Sequence, residues 1–375
     1  MNGNLRVGNL FGIPFFINIS WLLVLGLVVL NFGSGLAAQF PWLGGQAWVL
    51  GLVSGLLLFA SVLLHELGHS FAAKQQGIGV NSITLFLFGG LANLEGEAET
   101  PEGAFSIAVA GPLVSLALFG LLTTVVGSGT IAGPLAAIVG LLAYINLTLA
   151  TFNMIPGLPL DGGNVLKAIV WKVTGNRYRG IRWASRVGQL IGWSAIGLGV
   201  LSVLGFSNTG SFWTLIIGWF LLQNAGQSAQ SAIIQESLSE FTAADAVLTN
   251  SPVVSESNTL RDLADMAVVE DFGGQWKRFL VQGEQDELVG TVGLDVLKSI
   301  ASSQWVDHHV HEFAQPLAQE VQVQADQPLL DVMGQLESQG VQALAVVRSN
   351  GTLMGLLEKA QIVRLLQHEG QAQPA

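Results

Sequence analysis

Two histidines four residues apart, His65 and His69, bracket Glu66 in the run HELGH. On a helix that spacing places both imidazoles on one face. H-E-x-x-H is the pattern in which two histidines bind one zinc while the glutamate reaches a water on the metal. A catalytic zinc takes three protein ligands and keeps one position open for water. Residues 1–230 hold no further histidine, and the chain has no cysteine, which excludes disulfide frameworks and thiolate metal sites. That leaves Asp161, in NMIPGLPLDGG at residues 153–163, as the third ligand of a single Zn2+ per chain. The ordinary alternative for Asp161 is a helix cap to residues 164–175, but it leaves the histidines without a third partner. Pro156 and Pro159 break the preceding helix, and Gly162 and Gly163 release the backbone after the aspartate.

The elements that must position these groups are greasy. Half of the 375 residues are apolar and 11% are charged, against about 25% charged in soluble domains. The charge is also uneven: residues 1–231 carry 8 basic and 6 acidic groups, residues 232–375 carry 7 and 20. The formal net charge of −11 therefore belongs to the second part, and such acidity argues against nucleic acid as a direct partner. A bilayer span needs about 20 apolar residues, and six windows qualify, near residues 14–32, 46–68, 103–127, 131–153, 186–205 and 212–229. The first reads as a retained helix, because only Arg6 precedes it as a basic residue and no small-residue cleavage pattern follows.

All eight basic residues of the first part (Arg6, Lys74, Lys167, Lys172, Arg177, Arg179, Arg182, Arg186) fall at the N-terminus, after the second window or between the fourth and fifth. That bias puts both termini in the cytoplasm of a multi-pass membrane protein; a soluble protein with buried helices would not produce it. The second window runs inward to His65 and the fourth inward to Asn153, so the two motifs meet at one membrane face. Ionisable groups at such depth are functional candidates by default. Residues 77–96, GIGVNSITLFLFGGLANLEG, read as short strands and turns lying against the membrane. Residues 163–186 interleave six basic residues with Trp171, Tyr178 and Trp183, as a headgroup-level helix or loop would; a charged linker fits equally.

With these motifs the sequence resembles the site-2 proteases, intramembrane zinc metalloproteases that pair H-E-x-x-H in one membrane helix with N-x-x-P-x-x-P-L-D-G in a later one. Here the pair is His65-Glu66-Leu67-Gly68-His69 and Asn153 to Gly162, with FGGLANL (88–94) and AGPLVSL (110–116) resembling the intervening family segments. The resemblance covers residues 1–230. It implies zinc on His65, His69 and Asp161, Glu66 as general base, and Asn153 polarising the scissile carbonyl. It also implies a strand segment, Leu87, Phe88, Gly89 and Gly90 at its centre, that holds substrate in extended form.

The acidic part reads as an internal repeat, residues 241–300 and 314–369, each with an extended stretch, a helix, a strand pair and a final helix. It resembles a tandem CBS pair, a cytoplasmic regulatory module that implies adenine-nucleotide binding and homodimerisation; a generic α/β domain for docking is the plain alternative. The ribose-contacting signature departs from the pattern: Gly293 takes the hydroxyl position in GTVGLDVL, and Glu358 and Gln361 replace both residues in GLLEKAQIV. His308, His309 and His311 lie between the repeats and read as a solvated loop more readily than as a metal site.

The expected fold is thus a polytopic α-helical membrane domain of about six transmembrane helices with a small membrane-associated β segment (1–230). A linker (231–240) and an α/β CBS-pair domain (241–375) follow. The expected function is intramembrane zinc endopeptidase, acting in regulated intramembrane proteolysis on a membrane-tethered transcription factor or anti-sigma factor. A bacterial plasma membrane is the expected location, with a plastid membrane as the alternative. A transporter or channel with a CBS module, its His, Glu and Asp forming an ion path, and an inactive membrane scaffold are the competing readings.

Overall fold

A computed structural model describes residues 3–87, 89–206, 210–247, 251–269, 278–315, 322–341 and 343–372. The chain divides into two compact units, Met1–Ala232 and Ile233–Ala375. The first opens with a hairpin, β1 (Asn4–Leu10) and β2 (Ile13–Asn18), followed by α1 (Ser20–Gln39) and α2 (Gln46–Gln75). Then come β3 (Val80–Phe86), β4 (Gly89–Leu94), α3 (Pro101–Gly127), α4 (Gly133–Asn153), α5 (Asp161–Thr174), α6 (Arg177–Val203) and α7 (Phe212–Glu240).

Among the described residues five helices, α1, α2, α3, α4 and α6, are long and apolar enough to cross a bilayer, and they expose leucines such as Leu22, Leu23, Leu27 and Leu30 of α1. Such side chains match lipid, which offers them the environment a soluble core would. Trp42, three residues after α1, and Trp213, in the first turn of α7, are both exposed, where an aromatic belt belongs.

Two of the six expected windows need correcting. The window at 14–32 begins inside β2, and its helix starts at Ser20. The window at 212–229 lies in α7, whose apolar stretch, interrupted only by Thr214, ends at Leu222. Eleven residues of helix reach about 16 Å, half of a ~30 Å core. Yet α7 turns back along α6 through small residues: Gly199 meets Leu215, Gly192 meets Gly218 and Leu222, and Gly188 meets Ala225. Ala184 and Ala232 then share one core cluster. Residues 231–240, read from the sequence as a linker, are the last turns of α7.

The β segment is larger than its sequence suggests. β1–β4 form one sheet in chain order, with β1/β2 and β3/β4 antiparallel and β2/β3 parallel. Along β3 the side chains alternate, and Ile83 and Leu85 pack with Ile13, Leu63 and Leu67. Leu63 and Leu67 are one turn apart on α2, so the sheet clamps the stretch of helix that carries HELGH. Among the described residues β4 has no strand beyond it and is an edge of the sheet.

The second unit contains two copies of one motif. β5 (Val253–Ser255), α8 (Leu260–Val269), β6 (Arg278–Gln282), β7 (Leu288–Gly293) and α9 (Val296–Ser299) make the first. β8 (Gln322–Gln324), α10 (Leu329–Gln339), β9 (Ala343–Val347), β10 (Leu353–Glu358) and α11 (Lys359–Ala372) make the second. In each sheet the first strand is parallel to the second and the second antiparallel to the third. Leu280 of one sheet joins Ala345, Val347, Leu353 and Leu356 of the other in a shared core.

Candidate metal centre

His65 and His69 lie on the C-terminal third of α2, and Asp161 is the first residue of α5. The Asp161 carboxylate, expected from the sequence as the third ligand, turns to the histidines, with Oδ2 3.1 Å from His65 Nε2 and Oδ1 3.3 Å from His69 Nε2. The two Nε2 atoms are 3.3 Å apart. One ligand atom from each of the three residues falls within 4.8 Å of the others, and His65 is 2% exposed.

The outer nitrogens decide which atoms face inward. His69 Nδ1 lies 2.7 Å from the Ile107 carbonyl oxygen, which only accepts, so Nδ1 carries the proton and donates. His65 Nδ1 lies 2.9 Å from Ser115 Oγ. A ring that donates from Nδ1 has a lone pair on Nε2, the arrangement that partners of metal-binding histidines enforce. Two imidazole nitrogens and a carboxylate oxygen converging on one space are a donor set that fits a divalent metal and fits zinc in kind.

Ile107, Gly111 and Ser115 are spaced by four and form one face of α3, turned to the i, i+4 face of α2. Gly111 sits between the two contacts. A Cβ there would collide with His69 Nε2 and lie 2.8 Å from His65 Nε2, so the glycine keeps the space between the histidines open. One turn before His65, Ser61 Oγ accepts from the fully buried Asn146 Nδ2 at 3.0 Å, tying α2 to α4. Ser115, Gly111 and Asn146 are not singled out by residue type in the sequence; the four-residue spacing of Gly111 and Ser115 within AGPLVSL is the signal available.

Glu66 points toward the sheet. A Cβ on Gly90 would meet the Glu66 Cγ, and Glu66 Oε1 would lie 2.7 Å from it, so the edge strand β4 runs directly past this carboxylate. Leu87 N donates to Ser20 Oγ at 3.2 Å at the foot of α1; Gly89 has φ of 139°, a value glycine alone takes readily. Phe88 lies outside the described residues. Asn153, half-buried, ends α4, eight residues before Asp161.

The segment between α4 and α5 contains a cis Leu158–Pro159 bond and is built on α6: Leu158 N donates to the Ala184 carbonyl at 3.1 Å. Gly162 and Gly163 are helical in α5, and a Cβ on either would strike the main chain of Met154 or Leu158. Their use is close approach, where the sequence suggested backbone release. On the polar side Glu97, after β4, binds Lys167 at 2.8 Å and Arg177 at 2.9 Å. Burial pushes its carboxyl up, and the two cations outweigh that and hold it below the usual carboxylate range.

His308, His309 and His311 do not converge. His308 Nδ1 pairs with Glu312, and His309 Nδ1 meets the Ser257 carbonyl; among the described residues the one metal-type cluster is His65, His69 and Asp161.

The profile of peptidase family M50 matches residues 54–131 and 127–194, the stretch that contains all three convergent residues. The CBS domain profile matches residues 316–368, the second of the two repeats. The chain is 53% identical to "Putative zinc metalloprotease sll0528" of Synechocystis sp. over 98% of this chain and 96% of that one. It is 27% identical to zinc metalloprotease MJ0392 of Methanocaldococcus jannaschii over 78% and 79% respectively. Among solved structures, a site-2 protease from Methanocaldococcus jannaschii matches at 30% identity, 60% of this chain, 95% of that chain and a TM-score of 0.44. With HELGH, Asp161 and five membrane-type helices in one unit and the CBS motif in the other, the chain belongs to peptidase family M50, the site-2 protease family of membrane-embedded zinc metalloproteases.

Proposed function

We propose that the chain is an intramembrane endopeptidase that cleaves transmembrane segments of protein substrates near the cytoplasmic face, in regulated intramembrane proteolysis. The observation that carries this reading is the convergence of His65, His69 and Asp161 beside Glu66, with an open strand edge against that glutamate. His65, His69 and Asp161 would hold one zinc, which supplies a Lewis acid that acidifies water and polarises a carbonyl. Glu66 takes the proton from the attacking water and passes it to the departing amine. Asn153 donates a hydrogen bond to the oxygen on which charge develops.

A helical substrate has its carbonyls satisfied within the helix and must unwind before attack. The edge of β4, which begins at Gly89 and Gly90 with Leu87 shortly before it, gives an unwound strand main-chain partners, beside the Glu66 carboxylate. The expected substrate class is a membrane-tethered transcription factor or anti-sigma factor. The basic residue bias supports cytoplasmic placement of both termini. The second unit is assigned a regulatory role; its displaced nucleotide signature gives no basis for a nucleotide-dependent step.

The test is zinc per chain, with cleavage of a reconstituted membrane substrate, in wild type, His65→Ala, Asp161→Asn and Glu66→Gln. One zinc per wild-type chain, lost in the first two variants and kept in Glu66→Gln with cleavage abolished in all three, is expected. Wild-type cleavage by Glu66→Gln would remove the general-base role, and metal-free wild type would remove the reading altogether.

A further inference from the structure

The face of α6 opposite the Asp161 segment carries an unexplained stripe. Arg179, Trp183, Arg186, Leu190 and Trp193 are all exposed and spaced by four, three, four and three residues. That spacing keeps them on one side of the helix for about 21 Å. Between Asp161 and Glu236 the sequence holds no acidic residue. The nearby carboxylates are engaged elsewhere, Glu97 by Lys167 and Arg177 and Glu102 by Lys172 at 2.8 Å. Among the described residues no carboxylate pairs with Arg179 or Arg186. The Arg186 guanidinium instead lies over the Trp183 ring, 5.9 Å from its centroid.

Two uncompensated guanidiniums with an exposed tryptophan between them form an anion site at headgroup level. The next turns of the same face, Leu190 at 67% and Trp193 at 63% exposed, continue it into hydrocarbon. The order along the helix, charge first and apolar surface second, is that of an amphiphile. A small soluble anion would use the arginines and leave the apolar track unexplained.

We propose that this face of α6 binds an anionic phospholipid, with the phosphate on Arg179 and Arg186, Trp183 at the glycerol level, and an acyl chain along Leu190 and Trp193. The opposite face of the same turns bears the loop that leads to Asp161, through Ala184 O and the tight contact of Gly188 with Leu158. A lipid seated here therefore restrains the helix on which that loop is built. The proposal needs the membrane disposition of α6 and no protease activity, so it stands or falls separately from the function above.

The experiment is native mass spectrometry of the full chain in detergent with equal amounts of phosphatidylglycerol and phosphatidylcholine. Two basic residues near a membrane surface correspond to a preference of roughly 30-fold for the anionic lipid. That preference should fall below about 3-fold in the double variant Arg179→Gln/Arg186→Gln. It should persist in Arg179→Lys/Arg186→Lys, which keeps the charge and controls for folding. Trp193→Gln should shorten retention of both lipids. Glycerol 3-phosphate in large excess should displace neither lipid. Unchanged preference in the glutamine double variant, its elution volume still matching wild type, overturns the proposal; so does displacement by glycerol 3-phosphate, which would mark a site for a soluble anion.

Discussion

Gly111→Ala is the smallest change that should abolish the metal centre without touching a ligand. The added methyl would lie 2.8 Å from His65 Nε2 and closer still to His69 Nε2. A carbon in van der Waals contact needs about 3.5 Å or more, so it must gain at least ~0.7 Å from His65 Nε2 and more than that from His69 Nε2. The imidazoles have no room to retreat, because Ser115 Oγ and the Ile107 carbonyl fix their far nitrogens at 2.9 and 2.7 Å. Metal sites tolerate departures of only about 0.2 Å in ligand distance, and a misplacement near 1 Å costs about 100-fold in rate. Zinc per chain, measured by mass spectrometry on protein purified in detergent, should fall from one to below about 0.1, with cleavage falling at least about 100-fold. Gly120→Ala is the matched control on the same helix, where a Cβ meets nothing within 4 Å; it should leave both values unchanged. Full zinc and activity in Gly111→Ala would show that α2 and α3 slide freely against each other and would refute the packing account of the site.

Ser115→Ala removes the partner of His65 Nδ1 and should weaken zinc about 10- to 100-fold, read by competition with a chelator. Asn146→Leu leaves Ser61 without its donor inside the bundle and removes a buried amide whose Oδ1 already lacks a partner. Because that amide is only half-satisfied, the net loss in thermal stability should stay within about 1–2 kcal/mol. For Glu97 the folded carboxyl sits below the ordinary glutamate value of about 4.3. Its contribution is therefore present above that value and lost as pH falls from there through the folded value. Glu97→Gln should lower the melting temperature at neutral pH and flatten its decline between about pH 5 and pH 3; an unchanged acid profile would mean that the ion pairs with Lys167 and Arg177 carry no stability.

The chemistry of the site was legible because polar groups are scarce in the first unit: with no cysteine and two histidines, the choice of ligands was nearly forced. What surrounds the ligands was not. Ser115 and the Ile107 carbonyl act across an interface between α2 and α3, and nothing in one sequence states which faces of two uniformly apolar helices meet. The β1–β2 hairpin was hidden for a related reason. Ile13 to Ile17 is as apolar as the helix after it, and short apolar runs do not distinguish strand from helix by periodicity; Pro14 and the Phe11-Gly12 turn, with φ of 52° and 79°, were the local marks. In α7 the reverse occurred, with an apolar start that overstated the span. The repeat in the second unit was readable from its hairpin turns, and both copies recur with the same strand order.

The two histidines differ in how inheritance can reach them. His69 is oriented by a main-chain carbonyl, which every residue type at position 107 supplies, so point substitution there leaves the partner in place. His65 is oriented by a hydroxyl that a single substitution at position 115 deletes or lengthens. Variation among relatives that adjusts metal affinity without losing the fold should therefore accumulate on the His65 side of the centre, leaving the His69 side as its fixed reference.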